Sequence, residues 1–243
     1  VKAIDHSLPS RRALLALALI TVTLVLVGCG SRPATAPELP VVTRVMVIPV
    51  APIKKLHTEN KGIPLGILWQ SIADRVKGSE FNERMEAVRK DMGPKMTAAL
   101  VAQLNAQGYQ AQALEGVSRP AASPDNIDYG LLPTSEPVLH VYFNEVGMSS
   151  ARFSTDYVPR VNLSAYLMTA KDGDTVYSET IYYGADASGD STGSVPANVR
   201  DRCGSFGELV AQPQAVARSY DDAIAALATR IAKNIRANTA PPR

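Results

Sequence analysis

The chain has 243 residues, 46% of them hydrophobic and 20% charged, with 25 Lys and Arg against 23 Asp and Glu and a formal net charge of +2. So even a balance excludes the basic footprint of a nucleic-acid binder, and two cysteines are too few for a disulfide scaffold. The length suits one large or two small domains, enough to bury a real core.

Lys2, Arg11 and Arg12 precede an uncharged apolar run from Ala13 to Val27. A membrane span needs about 20 apolar residues, so the shorter run reads as the core of a secretory signal, with a plain membrane anchor and a cleaved, unlipidated signal as the other readings. The run ends in Leu26-Val27-Gly28-Cys29, which resembles the bacterial lipobox. The resemblance implies cleavage between Gly28 and Cys29, a diacylglyceryl group on the Cys29 thiol and an N-acyl chain on the new amino terminus. Cysteine suits that chemistry because its thiolate is readily alkylated near neutral pH. Two or three acyl chains, at about 0.8 kcal/mol per buried CH₂, hold a protein stably at a bilayer. Gly30 stands where lipoproteins kept at the inner membrane often carry Asp, so the same resemblance points to the outer membrane, facing the periplasm. Ser10-Arg11-Arg12-Ala13-Leu14-Leu15 also resembles a twin-arginine export motif, and the export route stays open.

Cleavage removes three basic residues and one acidic residue and leaves 22 of each, so the mature chain is formally neutral. With Cys29 acylated, Cys203 has no disulfide partner in the chain. It lies in RDRCGSFGE with no His nearby to activate it, which reads as a partly buried, inert thiol.

Residues 29–40, rich in Pro, Ala and Ser, form the lipidated Cys and an extended tether. A single domain is expected over 41–235, with 236–243 as a frayed tail. VVTRVMVIPV, residues 41–50, has the β-branched content of a buried strand. Leu65, Leu68, Ile72 and Val76 recur at helical spacing, with Trp69 beside the stripe. Over 83–107 a longer stripe runs through Met85, Val88, Met92, Met96, Leu100 and Leu104 to Gly108, the residue favoured just past a helix end. Gly93-Pro94 is expected to break or kink that helix, with Asp91 capping its second part. The methionines fit ordinary core better than a plastic binding groove.

Tyr109 to Leu114 reads as a short strand, followed by the loop SRPAASPD. Three β-rich runs come next, PVLHVYFNEVGMSS, RVNLSAYLMTAK and DTVYSETIYYG, the last two joined by Asp172-Gly173, a two-residue hairpin signal. In the middle run Val161, Leu163, Ala165 and Leu167 alternate with Asn162, Ser164 and Tyr166, so one face is buried and the other partly wet. The last helix, about 214–235, carries Val216, Tyr220, Ile224, Leu227, Ile231 and Ile235 on one face. The fold class is therefore α+β, a mixed, mostly antiparallel sheet with helices packed on one face. The helix running through Gly-Tyr into a strand in LVAQLNAQGYQAQ, within this element order, resembles the small α/β domains of envelope lipoproteins over residues 41–235. Those include the amino-terminal domain of the translocation protein TolB, the curli-secretion lipoproteins and the auxiliary lipoproteins of lipid-transport systems.

Catalytic patterns fail residue by residue. Gly189-Asp190-Ser191 resembles the nucleophile block of GDS-type esterases but has no His after it, and CGSFG, 203–207, lacks the first Gly of a nucleophile elbow. His57 and His140 stand at no metal-ligand spacing, and His140 reads as a packed strand residue. No catalytic residue, cofactor or metal is expected. Two long irregular segments, 147–160 and 185–207, are where a partner is expected to bind, with Trp69, Phe153, Tyr157, Tyr182 and Tyr183 as contacts.

The function this implies is a non-catalytic, lipid-anchored periplasmic accessory or binding subunit of an envelope transport, assembly or cell-wall machine, held to the membrane by the acyl chains on Cys29 and bound to an envelope protein. An envelope hydrolase with a scattered site, a secretion-pore subunit and self-association stay open. Cys29→Ala is expected to block acylation and processing and to release the protein from membranes. A variant still cleaved after Gly28 and still membrane-bound overturns the lipobox reading.

Overall fold

The structure is a computed structural model that describes residues 39–59, 78–150, 154, 156–169, 173–184, 186–187 and 192–240. The expected signal peptide, Gly28, Cys29, the tether up to residue 38, Trp69 with its helix, Phe153 and the Gly189-Asp190-Ser191 block lie outside these residues.

The Val-rich run past Val41 forms β1 (Arg44–Val47), and β2 (His57–Glu59) follows. Residues 78–84 are helical, and after a turn at Met85 comes α1 (Glu86–Ala106). Then come β3 (Gln110–Ala113), β4 (Val138–Ser150), β5 (Tyr157–Met168), β6 (Thr175–Gly184) and β7 (Ser194–Pro196). The chain closes with α2 (Phe206–Ala211) and α3 (Pro213–Ala237). The strands form one sheet in the order β3-β1-β4-β5-β6-β7, with β2 beside β1 on the same edge of β4. The long ladders β4–β5 and β5–β6 are antiparallel, while β1, β2, β3 and β7 pair in parallel. This is the mixed, mostly antiparallel α+β sheet expected, with α1 and α3 packed together on one face.

The helix-side face is dry. Val161, Leu163, Ala165 and Leu167 of β5 are fully buried, as are Leu139 of β4 and Ile181 of β6. Above them Val216, Tyr220, Ile224, Leu227, Ile231 and Ile235 of α3 are all buried, each side chain contributing about 1.5–3 kcal/mol. Met85, Met92, Met96, Leu100 and Leu104 join the same cluster, so the methionine stripe is core. Two polar residues are buried on α3: the Ser219 hydroxyl donates to the Val216 carbonyl at 2.8 Å, and Asn234 donates to Glu179 of β6 at 2.6 Å, where Glu179 also accepts from the Tyr177 hydroxyl at 2.7 Å.

Three sequence expectations are corrected. Gly93-Pro94 does not break α1, and Asp91 caps nothing, since it lies exposed within the helix. Gly93 instead marks where the chain beyond β1 lies directly against the helix. A Cβ there would stand 2.4 Å from the Val50 carbonyl oxygen. The Thr97 hydroxyl completes the joint, accepting from the Val50 N–H at 2.8 Å and donating to the Gly93 carbonyl at 3.0 Å. The helix does end as expected: Gly108 has φ +91°, and the Tyr109 N–H reaches the Leu104 carbonyl at 3.2 Å in a Schellman closure.

The second correction concerns 147–160, which is mostly strand. Gly147 to Ser150 pair with Arg160 to Tyr157, leaving a connection of only 151–156. Pro159 is tolerated because β6 does not extend that far along β5. Likewise, the β5–β6 connection is longer than a two-residue turn: the Thr169 N–H donates to the Asp174 carbonyl and the Gly173 N–H to the Thr169 carbonyl, and the ladder shifts register between Leu167 and Met168. The third is the carboxy-terminal tail. Thr239 is buried and its hydroxyl bonds that of Tyr109, while the Ala240 N–H donates to the Pro40 carbonyl at 3.0 Å.

In an exposed helix, Gly→Ala stabilises by about 1 kcal/mol. At Gly93 the close carbonyl reverses the sign, and Gly93→Ala is expected to destabilise by about 1–3 kcal/mol in urea unfolding. A variant more stable than the parent refutes this account of the joint.

Candidate functional site

The sheet face opposite the helices is only partly covered. The chain between β3 and β4 folds back over one end of it, where Ile48, Leu114, Ile127 and Val138 form a small second core. Arg119 clamps this loop by donating to the carbonyls of Pro124 and Pro49. Lys54 adds a bond of 3.0 Å to the Ala122 carbonyl. Between the clamped loop, residues 51–57 and the bare part of β4 and β5 lies a cleft of about 810 Å³.

Its floor follows from the pleat. In β4, His140 and Tyr142 are two apart and project from the same face, and in β5 Tyr166 stands directly opposite His140. Tyr142 and Tyr166 stack at 6.1 Å with their planes 14° apart, and the His140 ring lies 5.3 Å from Tyr142. Tyr129 reaches in from a single 3₁₀ turn of the covering loop, Tyr129–Leu131, and meets His140 edge-on at 5.8 Å. Its hydroxyl lies 2.6 Å from His140 Nδ1. Burial, with Tyr142 and Tyr166 nearby, pushes the Tyr129 pKa up. The Tyr142 pKa is also raised, first by a hydrogen bond with Tyr166 and then by burial.

Past Phe143 a register shift in the β4–β5 ladder swaps the faces of β4, so that Val146 and Met148 join the helix-side core. Asn144 donates to Asn162 at 3.2 Å and to Ser164 at 3.0 Å, which fixes its amide beside the cleft. Glu145 is held by Arg160 at 3.4 Å, and Arg160 also reaches Glu59 at 3.4 Å and lies over the Tyr182 ring. On the far rim Asp125 faces Lys54 and Arg119, which partly offset the upward push that burial gives its pKa. Lys54 and Lys55 against Asp125 and Glu145 make the rim close to neutral.

His140 itself is 1% exposed. Burial, reinforced by Arg119, lowers its pKa to about 4, so the ring is neutral at pH 7. Its Nε2 is buried and has no hydrogen-bond partner in the structure. The expectation of a packed strand histidine holds, and Nδ1 is hydrogen-bonded as well. Among the described residues, no cluster of three or more His, Cys, Asp or Glu is arranged to hold a metal ion.

The aromatics anticipated from sequence fall elsewhere. Tyr157 and Tyr183 are 5% and 2% exposed, so the expectation that they contact a partner is corrected: the core uses both rings. Tyr157 packs edge-on to Phe206 and pairs its backbone with Cys203, while the Tyr183 hydroxyl accepts from the Asn198 N–H at 3.1 Å. Tyr182 is half-buried under Arg160. The 185–207 segment, expected as a polar loop, carries β7 and a 3₁₀ turn, Val199–Asp201, before α2. Cys203 is buried, and burial followed by Glu208 and Asp201 raises its thiol pKa, which keeps it protonated and unreactive. Tyr129, His140, Tyr142 and Tyr166 were not singled out together. The alternation in β4 and β5 held part of the signal, but Tyr129 comes from irregular chain.

No family model matches the sequence, and no curated protein matches it. Among solved structures, a lipoprotein from Neisseria meningitidis matches at 15% identity over 58% of this chain and 81% of its own, with a TM-score of 0.27. A protein described as a neuraminyllactose-binding hemagglutinin homolog from Helicobacter pylori matches at 15% identity over 83% of this chain and 90% of its own, with a TM-score of 0.33. TM-scores this low do not establish a shared fold, and neither likeness assigns a function.

The His140 pKa gives a signed test. Between pH 6.5 and about 4 the unfolded chain binds a proton at this residue that the folded chain does not, so stability falls as pH drops through that window. The full loss amounts to at most about 3 kcal/mol. In urea unfolding at pH 7, 5.5 and 4.5, His140→Gln is expected to flatten the decline relative to the parent, and equal slopes would count against a buried neutral His140.

Proposed function

We propose that this chain is a lipid-anchored envelope protein, held by acyl chains on Cys29 at the outer membrane and facing the periplasm. Its folded domain acts there as a non-catalytic accessory or binding subunit of a transport, assembly or cell-wall machine. The lipobox-like Leu26-Val27-Gly28-Cys29 and the Pro-rich segment after it support the location. The observation that carries the binding role is the cleft on the open sheet face. It combines an aromatic floor held by paired strands with fixed polar groups such as Asn144, the usual makeup of a recognition pocket. A partner docked there meets aromatic side chains held by the sheet, which keeps the ordering cost of binding low.

A photo-reactive side chain at Asn126, on the rim, and another at Lys233, exposed on α3, separate this face from the helix face. In cells, the Asn126 probe is expected to capture one dominant envelope component, and the Lys233 probe is not. Equal capture at both positions, or capture of abundant porins alone, rejects the cleft as the working surface. Turnover of generic esterase or peptidase substrates that a single Ser or Asp substitution abolishes would overturn the non-catalytic part.

A further inference from the structure

Resting on the reading of the cleft as a binding site, we infer that its ligand is a neutral oligosaccharide. Charge decides the first step. Two cationic side chains, Lys54 and Lys55, and two anionic ones, Asp125 and Glu145, line the cleft, so its formal charges cancel. A strongly anionic or cationic ligand would find no excess of opposite charge, so the rim selects an uncharged one.

The floor decides the second step. Tyr142 and Tyr166 have nearly parallel ring planes, 14° apart with centroids at 6.1 Å, and both are only partly buried, so aromatic surface from both strands lines the cleft. The C–H face of a pyranose ring is apolar and carries slight positive charge, which suits the negative face of an aromatic ring. Tyr129, 37% exposed, adds a third ring at the edge of this surface.

The polar groups decide the third. A sugar presents hydroxyls, each a donor and an acceptor, around an apolar ring. Planar amides and carboxylates match that pattern, and the cleft offers Asn126, Asn144 and Asp125. Asn144 is held in place by Asn162 and Ser164 before any ligand arrives. At about 810 Å³ and open to solvent, the cleft is large enough for more than one sugar ring.

The test uses the acylated full chain in a detergent without a sugar headgroup, with chitotetraose and maltotetraose as probes and indole as a planar aromatic competitor. Calorimetric titration is expected to show binding of at least one tetrasaccharide at sub-millimolar concentration. Tyr142→Ala or Tyr166→Ala should weaken it at least about tenfold, while Tyr142→Phe, which keeps the stacking face, should stay within about threefold. Circular dichroism of each variant checks folding, and Tyr142→Phe keeps the test informative if an alanine variant fails to fold. Absence of saccharide binding by the parent, equal affinity in parent and folded alanine variants, or indole binding without saccharide binding each overturns the inference. If saccharides fail while the Asn126 probe still captures an envelope component, the oligosaccharide inference falls and the cleft reading stands.

Discussion

Everything in this domain hangs on the antiparallel pairing of β4 with β5. Twelve pairs of residues, from Val138 with Met168 to Ser150 with Tyr157, lock the two longest strands together, six on each side of the register shift past Phe143. Because side chains alternate across a pleat, that register forces Leu163, Ala165 and Leu167 onto one face and Ser164, Tyr166 and Met168 onto the other. A slip of one residue would put tyrosine under the helices and leucine in the cleft. Dry core and cleft floor are thus two sides of one constraint.

The helices reinforce that choice. The α3 stripe closes the apolar face, and Asn234 beside it adds specificity, since its bond to Glu179 fixes where the helix sits along β6. The helix α1 is set by backbone contact, with Gly93 admitting the Val50 carbonyl and Thr97 holding the neighbouring N–H. Arg160 does similar service on the other face. From β5 it reaches Glu145 on β4 and Glu59 on β2, and it lies over Tyr182 on β6, so one side chain touches four strands.

A cleft built this way is preorganised. His140, Tyr142 and Tyr166 belong to the most strongly paired strands, and only Tyr129 and the rim come from the covering loop, which Arg119 and Lys54 tie down. The floor loses little freedom when a ligand binds, while the loop leaves room for adjustment at the rim.

The sequence by itself determined whatever depends on local periodicity. Alternation in 161–167 named the buried face of β5, helical spacing named the core stripes of α1 and α3, and Gly108 marked the end of α1. The lipobox resemblance at Cys29 is likewise read from residues in a row. Only tertiary structure decided what depends on partners distant in sequence. Gly93-Pro94 looks like a break until the Val50 carbonyl is laid against it, and 147–160 looks like a loop until β5 pairs with it. Tyr157 and Tyr183 look like surface aromatics until the core encloses them. The cleft itself joins Tyr129, His140, Tyr142 and Tyr166 through a loop clamp and a cross-strand register, and neither leaves a periodic trace, because contact between distant segments is set by packing rather than by spacing along the chain.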